Sequence, residues 1–350
     1  MKNLTLYLFY LLLLFLAELL YLRLARGFNI QAIPNERSAH SQNTLVGGGI
    51  IVPLACILYF YTSNFQYPFF IIGILLVSFV SLVDDVREVS IKLRLLSQII
   101  AISLIFFQFN LYTNSTLLVM ILVACIMVIS LNAYNFLDGI NGMTSAYSLI
   151  QLACLYYINQ FKVHFIDGHL LVITALAVIV FTYFNFRVKA ICFAGDVGSI
   201  SIALIVCGCI FKLILLTHNF IFINLLLVYY LDAVSTFIFR WLQGQNVVKA
   251  HKKHFYLFLV NELKWPHLMV ACLYAVVQLV INLIVINAFD IKGSSSNYYH
   301  LQYTGLFIGV AALLVAFMRI KLEGRQIYMK MHVEPVVSDQ KDKRSFNVIK

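Results

Sequence analysis

Two adjacent carboxylates, Asp84 and Asp85, stand where an apolar run ends, followed closely by Arg87, Lys92 and Arg94. Paired acids at a membrane can bind a metal ion or accept a proton. A solvated helix end, its acids neutralised by the bases that follow, explains them equally well. Asn132, Asn135 and Asp138 recur at three-residue steps, which on a helix makes one polar edge, and Gly139 and Gly142 then permit close backbone approach. An ordinary turn uses the same residue types, but the regular spacing favours a site. Asp196 lies between Gly195 and Gly198 just before another apolar run. An acid there can reach a metal held against a helix N-terminus, whose N–H groups also favour phosphate, while Ser199 could simply be an N-cap.

His251, Lys252, Lys253 and His254 concentrate charge and hydrogen-bonding capacity suited to phosphate. Alone, they read better as a basic loop that merely enforces topology. The HxxH spacing also occurs in zinc sites, but no acid motif accompanies it here. The segment Pro34 to His40, with Arg37 at its centre, runs on to Gly47, Gly48 and Gly49. By itself it could be a flexible linker followed by a close helix contact.

The elements that must position these groups are membrane helices. Hydrophobic residues make up 62% of the chain, charged residues 11%, and the mean hydropathy is +0.89, far from soluble averages. The expected fold is all-α and polytopic, with about 11 spans near residues 4–24, 46–62, 67–83, 95–110, 115–131, 143–158, 169–186, 199–217, 219–239, 267–289 and 302–318. The weakest are the short span at 143–158 and the tight reversal at Thr217, His218 and Asn219. Residues 1–335 form one membrane domain, and 336–350 a polar tail. The first span lacks a basic n-region and a small-residue cleavage site, so it is expected to be retained.

Basic residues check the count. Those from Arg23 to Arg325 and in the tail fall in alternate loops, and the opposite set holds only Lys2, Lys162 and Lys292. This places the N-terminus outside, the C-terminus and all five polar islands in the cytoplasm, and the protein in the inner (cytoplasmic) membrane. The formal charge of +10 then reads as a topology signal, with no nucleic-acid role. No cysteine falls in a clearly extracytoplasmic loop, which argues against disulfides. Glu18 and Lys212 are the mid-span charges. Glu18 could face a neighbouring helix or a second subunit, which admits a homodimer; Lys212 could snorkel outward.

Together the segments PNERSAH with GGG, SLVDDVREVSIKLR, NAYNFLDGINGM, FAGDVGS and the loop from Asp232 ending in KAHKKHFYL resemble the polyprenyl-phosphate N-acetylhexosamine-1-phosphate transferases of glycosyltransferase family 4. The likeness covers roughly Pro34 to Val260. It implies transfer of a sugar 1-phosphate from a UDP-N-acetylhexosamine to undecaprenyl or another polyprenyl phosphate, with release of UMP and Mg²⁺, or Mn²⁺, as cofactor. By resemblance Asp196 and Asn135 are the metal ligands, and Asp84 and Asp85 deprotonate or position the acceptor phosphate. Phe193 is placed like a uracil-stacking aromatic, and Asp138 like a nucleotide-binding acid with a catalytic role. Lys92, Arg94, His251 and His254 would hold phosphates, and Arg37, Asn132 and Asn141 complete the substrate contacts.

Departures bear on specificity: Val46 replaces the Arg of many relatives, Asn141 the Asp of some, and Glu88 the Lys of the muramoyl-pentapeptide branch, whose triple-histidine loop is also missing. The branch that initiates O-antigen, common antigen and teichoic acid is the better match. Its sugar would be N-acetylglucosamine, N-acetylfucosamine or N-acetylquinovosamine. The alternatives are a phospho-N-acetylmuramoyl-pentapeptide transferase, and a transporter, which would place critical acids near the bilayer midplane.

Overall fold

Helix starts are fixed locally along the chain. Pro68 occupies the first turn of α3 (Pro68–Val86), where its missing N–H costs nothing. The Ser90 hydroxyl accepts from Leu93 N–H at 3.3 Å and opens α4 (Ile91–Gln108), and the Asp167 carboxylate accepts from His169 N–H at 3.0 Å and opens α8 (Gly168–Asn185). The computed structural model describes residues 2–32, 43–114, 116–242, 254–291 and 304–324.

The remaining helices are α1 (Lys2–Gly27), α2 (Ile51–Thr62), the one-turn α5 (Leu111–Asn114), α6 (Leu117–Leu137), α7 (Met143–Phe161), α9 (Gly195–Thr217), α10 (Leu227–Leu242), α11 (Phe255–Asn261), α12 (His267–Ile291) and α13 (Thr304–Gly324). The fold is thus all-α and polytopic. Each expected span overlaps a helix, and among the described residues nine helices are long and apolar enough to cross a membrane. The two that fall short do so for different reasons. With its leading turn, α2 covers only Gly48–Thr62, and α7 carries the buried polar residues Thr144, Ser145, Ser148, Gln151 and Asn159. Those polar groups are partly matched across the interface with α12: Asn282 donates to Gln151 at 3.2 Å, and Tyr147 to Gln278 at 2.9 Å. Large apolar side chains elsewhere face outward, as expected of a surface solvated by lipid.

The reversal after α9 is as tight as the sequence suggests. His218 takes a left-handed φ of 52° and ends the helix, and the Asn219 side chain caps a 3₁₀ segment, Phe220–Leu226, leading into α10. Helix α9 is the axis of the bundle, buried from Val197 to Phe211 with α3, α6 and α7 around it. The three glycines after Val46 serve close contact rather than flexibility. Gly48 N–H bonds Phe193 O at 2.9 Å and Gly49 N–H bonds Ala194 O at 3.0 Å. A Cβ on Gly49 would lie 2.2 Å from the Gly198 Cα, so two backbones touch here. Strand β1 (Gln31–Ala32) pairs antiparallel with β2 (Thr44–Leu45), and Leu45 bridges in parallel to Cys192, so this small sheet braces the start of α9. At the far end of the chain, Arg319 of α13 donates to Ser235 and Thr236 of α10 at 2.8 and 2.9 Å.

Candidate active site

The start of α9 organises the site. Gly195 has a φ of +71°, which glycine adopts without strain, and a Cβ there would lie 2.4 Å from an Asp85 oxygen. That closeness lets Asp85, on the last turn of α3, accept from two unsatisfied N–H groups of α9: Asp196 N–H at 2.8 Å and Val197 N–H at 3.1 Å. A carboxylate there satisfies orphan donors and complements the positive end of the helix dipole. Asp85 therefore ties α3 to α9.

Its neighbour does something different. Asp84 accepts from Val89 N–H at 2.6 Å, which fixes the turn into α4, and pairs with Arg94 at 2.8 Å. The same Arg94 nitrogen reaches Asp196 at 3.3 Å, and the Asp84 and Asp196 carboxylates lie within hydrogen-bonding reach of each other. Two acids thus share one guanidinium. Because the Arg94 side chain is 36% exposed, this sharing contributes only about 1 kcal/mol or less to stability. Its interest is chemical.

Asn135 lies on the other side of Asp196. Its Oδ1 accepts from Ser199 Oγ at 3.0 Å, and its amide reaches the Asp196 carboxylate. Ser199 is buried inside α9 and also donates to Gly195 O, so it orients Asn135 and does not cap the helix. Asp138, half-buried just past the end of α6, is the fourth acid of the group. Burial pushes its carboxyl up to about 8, and the charges of Asp196 and Asp85 add to the rise, so it is mostly protonated at pH 7.

The other expected residues have varied surroundings. The Asn132 amide donates to Gln98 at 2.9 Å and to Val128 O at 2.8 Å, and Asn141 donates to the carbonyls of Arg187 and Val188. Lys92 is exposed in the first turn of α4, while Phe193 is half-buried with its backbone paired to Leu45. His254 is buried, its Nδ1 at 3.1 Å from Asp232, and its ring lies 6.0 Å from that of Phe136 at the end of α6. Arg37 and His251 lie outside the described residues.

Of the residues that hold these pieces in register, Asn185 went unmarked in the sequence, and Asp232, read there as the start of a loop, lies inside α10. Buried Asn185 accepts from Gly142 N–H at 2.8 Å and donates to Cys192 O at 3.0 Å, joining the Asp138 turn to the strand before Asp196. Its only signal was a lone amide ending an apolar run. Asp232 accepts from Phe255 N–H, Tyr256 N–H and the Tyr274 hydroxyl, and Tyr256 in turn donates to Phe136 O at 3.0 Å. This network docks α11 beside the acids.

The donor set suits a hard cation. Asp84 and Asp196 share one guanidinium, Asp85 and Asp138 lie close enough to Asp196 for their charges to act on one another, and oxygen donors of this kind are what Mg²⁺ selects. Among the described residues no group of three His, Cys, Asp or Glu forms an all-protein metal cage.

Comparison with known proteins places this arrangement. Residues 67–214 match glycosyl transferase family 4. The matched segment contains Asp84, Asp85, Lys92, Arg94, Asn132, Asn135, Asp138, Asn141, Phe193 and Asp196, and leaves out Arg37, His251 and His254. A protein of Methanocaldococcus jannaschii provisionally named a glycosyltransferase is 27% identical over 144 residues, covering 39% of this chain and 46% of that protein. The match thus spans about half the length of that relative. Over this segment the chain is thus similar to glycosyl transferases, and the apolar helices make it a multi-pass membrane protein.

Proposed function

We propose that the protein transfers N-acetylhexosamine 1-phosphate from a UDP-sugar to a polyprenyl phosphate in the inner leaflet of the cell membrane, releasing UMP. The observation that carries this reading is the sharing of Arg94 by Asp84 and Asp196, with Asp85 and Asp138 close to Asp196, at one end of an apolar bundle. A lipid phosphate and a nucleotide diphosphate can meet there without either crossing the bilayer. An oxygen of the lipid phosphate attacks the phosphorus that bears the sugar. A new P–O bond forms there as the bond to the UMP phosphate breaks, and the electron pair leaves with UMP.

Asp196 and Asn135 would hold Mg²⁺, with the Asp84 carboxylate near enough to assist. When bound, such an ion neutralises the diphosphate as charge builds on the leaving group. Arg94 neutralises and orients phosphate, and Asp85 keeps the α9 N-terminus and its N–H groups in position. Asp84, paired with a cation, is the stronger candidate for receiving or positioning the acceptor. Asp138, mostly neutral at pH 7, can donate a hydrogen bond to the nucleotide. A phosphate monoester is already a competent nucleophile, so alignment and charge neutralisation supply most of what is needed. The distribution of basic residues supports a cytoplasmic site, with the N-terminus outside and the C-terminus inside. The HxxH loop and absent triple histidine favour an O-antigen or related initiating role in lipopolysaccharide or cell wall biogenesis over lipid I synthesis.

Purified protein in lipid is expected to release UMP from a UDP-N-acetylhexosamine only when polyprenyl phosphate and Mg²⁺ are both present. UMP release that is indifferent to the lipid would overturn the mechanism. A panel of UDP-sugars identifies the donor.

A further inference from the structure

At the opposite end of the bundle a cavity of 740 Å³ opens between α6, α9 and the 3₁₀ segment before α10, with Phe109 and Leu111 at its edge. Its walls run along α6 from Val119 to Ser130, eleven residues or about 16 Å of helix rise. That is close to the depth of one leaflet's hydrocarbon, about 15 Å. The floor is closed by Ser130 and Tyr230, whose hydroxyls bond each other at 2.6 Å and ask nothing of an occupant.

Most of the lining is apolar, yet Lys212 projects into it, half-buried, with His218 nearer the mouth. The Lys212 ammonium lies 5.0 Å from the centre of the Phe109 ring. Among the described residues no acid lines the cavity, and Asp167, the acid of the α7–α8 turn at this end, already accepts from Tyr59 and from His169 N–H. A cation in a membrane-spanning helix with only an aromatic ring beside it lacks a counter-charge. Lys212 lies sixteen residues along α9 from Asp196, about 24 Å away, so whatever it holds is not the substrate of the acidic site.

We infer that this cavity is a berth for one anionic phospholipid of the leaflet opposite the acidic site, its phosphate on Lys212 and His218 and its acyl chains along α6 and α9. A leaflet-deep apolar slot, closed at the bottom and cationic toward the top, has the chemical profile of such a lipid from tail to head.

The test uses the full chain in nanodiscs of phosphatidylcholine, with or without phosphatidylglycerol, read by native mass spectrometry and by thermal midpoint. The wild type is expected to retain phosphatidylglycerol over phosphatidylcholine by about fivefold, the preference one lysine near an anionic surface gives. Its midpoint should rise in the anionic lipid. Lys212→Met should lose both effects. Lys212→Arg should keep them, as should Lys162→Met, which removes a cation at the same end outside the cavity. Equal retention of the two lipids by wild type, or unchanged preference in Lys212→Met, would overturn the inference, as would loss of the preference in Lys212→Arg. The same midpoint rise from inorganic phosphate in phosphatidylcholine would mean a free-anion site and would overturn it too.

Discussion

Substituting Asp84 and Asp85 separately by Asn should give two different phenotypes. Asp85 accepts two N–H bonds from the start of α9, at 2.8 and 3.1 Å. Asn keeps one acceptor and turns an NH₂ toward the other N–H, so one charge-assisted bond, worth about 1.5–3 kcal/mol, is lost. The favourable charge at the helix N-terminus, about 0.3–1 kcal/mol, goes with it. Relief of the desolvation that burial imposes on the carboxylate, with weaker repulsion from Asp196 and Asp84, offsets much of this, leaving a net loss of about 1–2 kcal/mol. In Asp84→Asn the remaining oxygen still accepts from Val89, and the lost ion pair involves an Arg94 that is 36% exposed, so the cost stays below about 1 kcal/mol. Scanning fluorimetry in detergent should place the midpoint of Asp85→Asn below that of Asp84→Asn by about 1–2 °C. Turnover measured well below both midpoints should be abolished in Asp84→Asn despite its near-native stability. Equal midpoints for the two variants would refute the division of labour, and full activity in Asp84→Asn would remove it from the chemistry.

Two further outcomes follow from the geometry. Gly49→Ala must separate two backbones in contact, since the new Cβ would sit 2.2 Å from Gly198 Cα, and overpacking of this kind costs about 1–3 kcal/mol; the variant should insert normally but show a lower midpoint and reduced turnover from a displaced Asp196, whereas Gly27→Ala, with open space around it, should match the wild type in both. Because the folded Asp138 carboxyl is raised from 3.8 to about 8, the stability of its protonated form is fully present below about pH 4 and is lost as the pH rises through about 8; the wild-type midpoint without added metal should fall across that window more steeply than that of Asp138→Asn, and parallel pH profiles would count against the shift.

The spans were legible because a hydrocarbon core demands long apolar runs with internally satisfied backbones, and nine such helices stand among the described residues. The two weakest readings fared differently: residues 143–158 are helical, continuing to Phe161, but too polar to count among the nine, whereas His218 turns the chain in the left-handed conformation. The polarity of α7 hid its role, because matching Gln151 to Asn282 is a decision between helices far apart in sequence.

Residue types and spacing by themselves determined that this is a helical membrane protein, and with the family resemblance they singled out Asp84, Asp85, Asn135, Asp138 and Asp196 as candidate site residues. Apolar length and acid scarcity are properties of the chain that survive any packing. Only the tertiary structure decided what each group does. Asp84 and Asp85 are adjacent and chemically identical, yet one faces Arg94 and the other the bare N–H groups of α9. That difference arises because successive residues on a helix point about 100° apart and so meet different neighbours. Ser199 became a support for Asn135, and Asn185 and Asp232 entered as latches, for the same reason: hydrogen-bond partners are chosen by proximity in space, which no local spacing encodes.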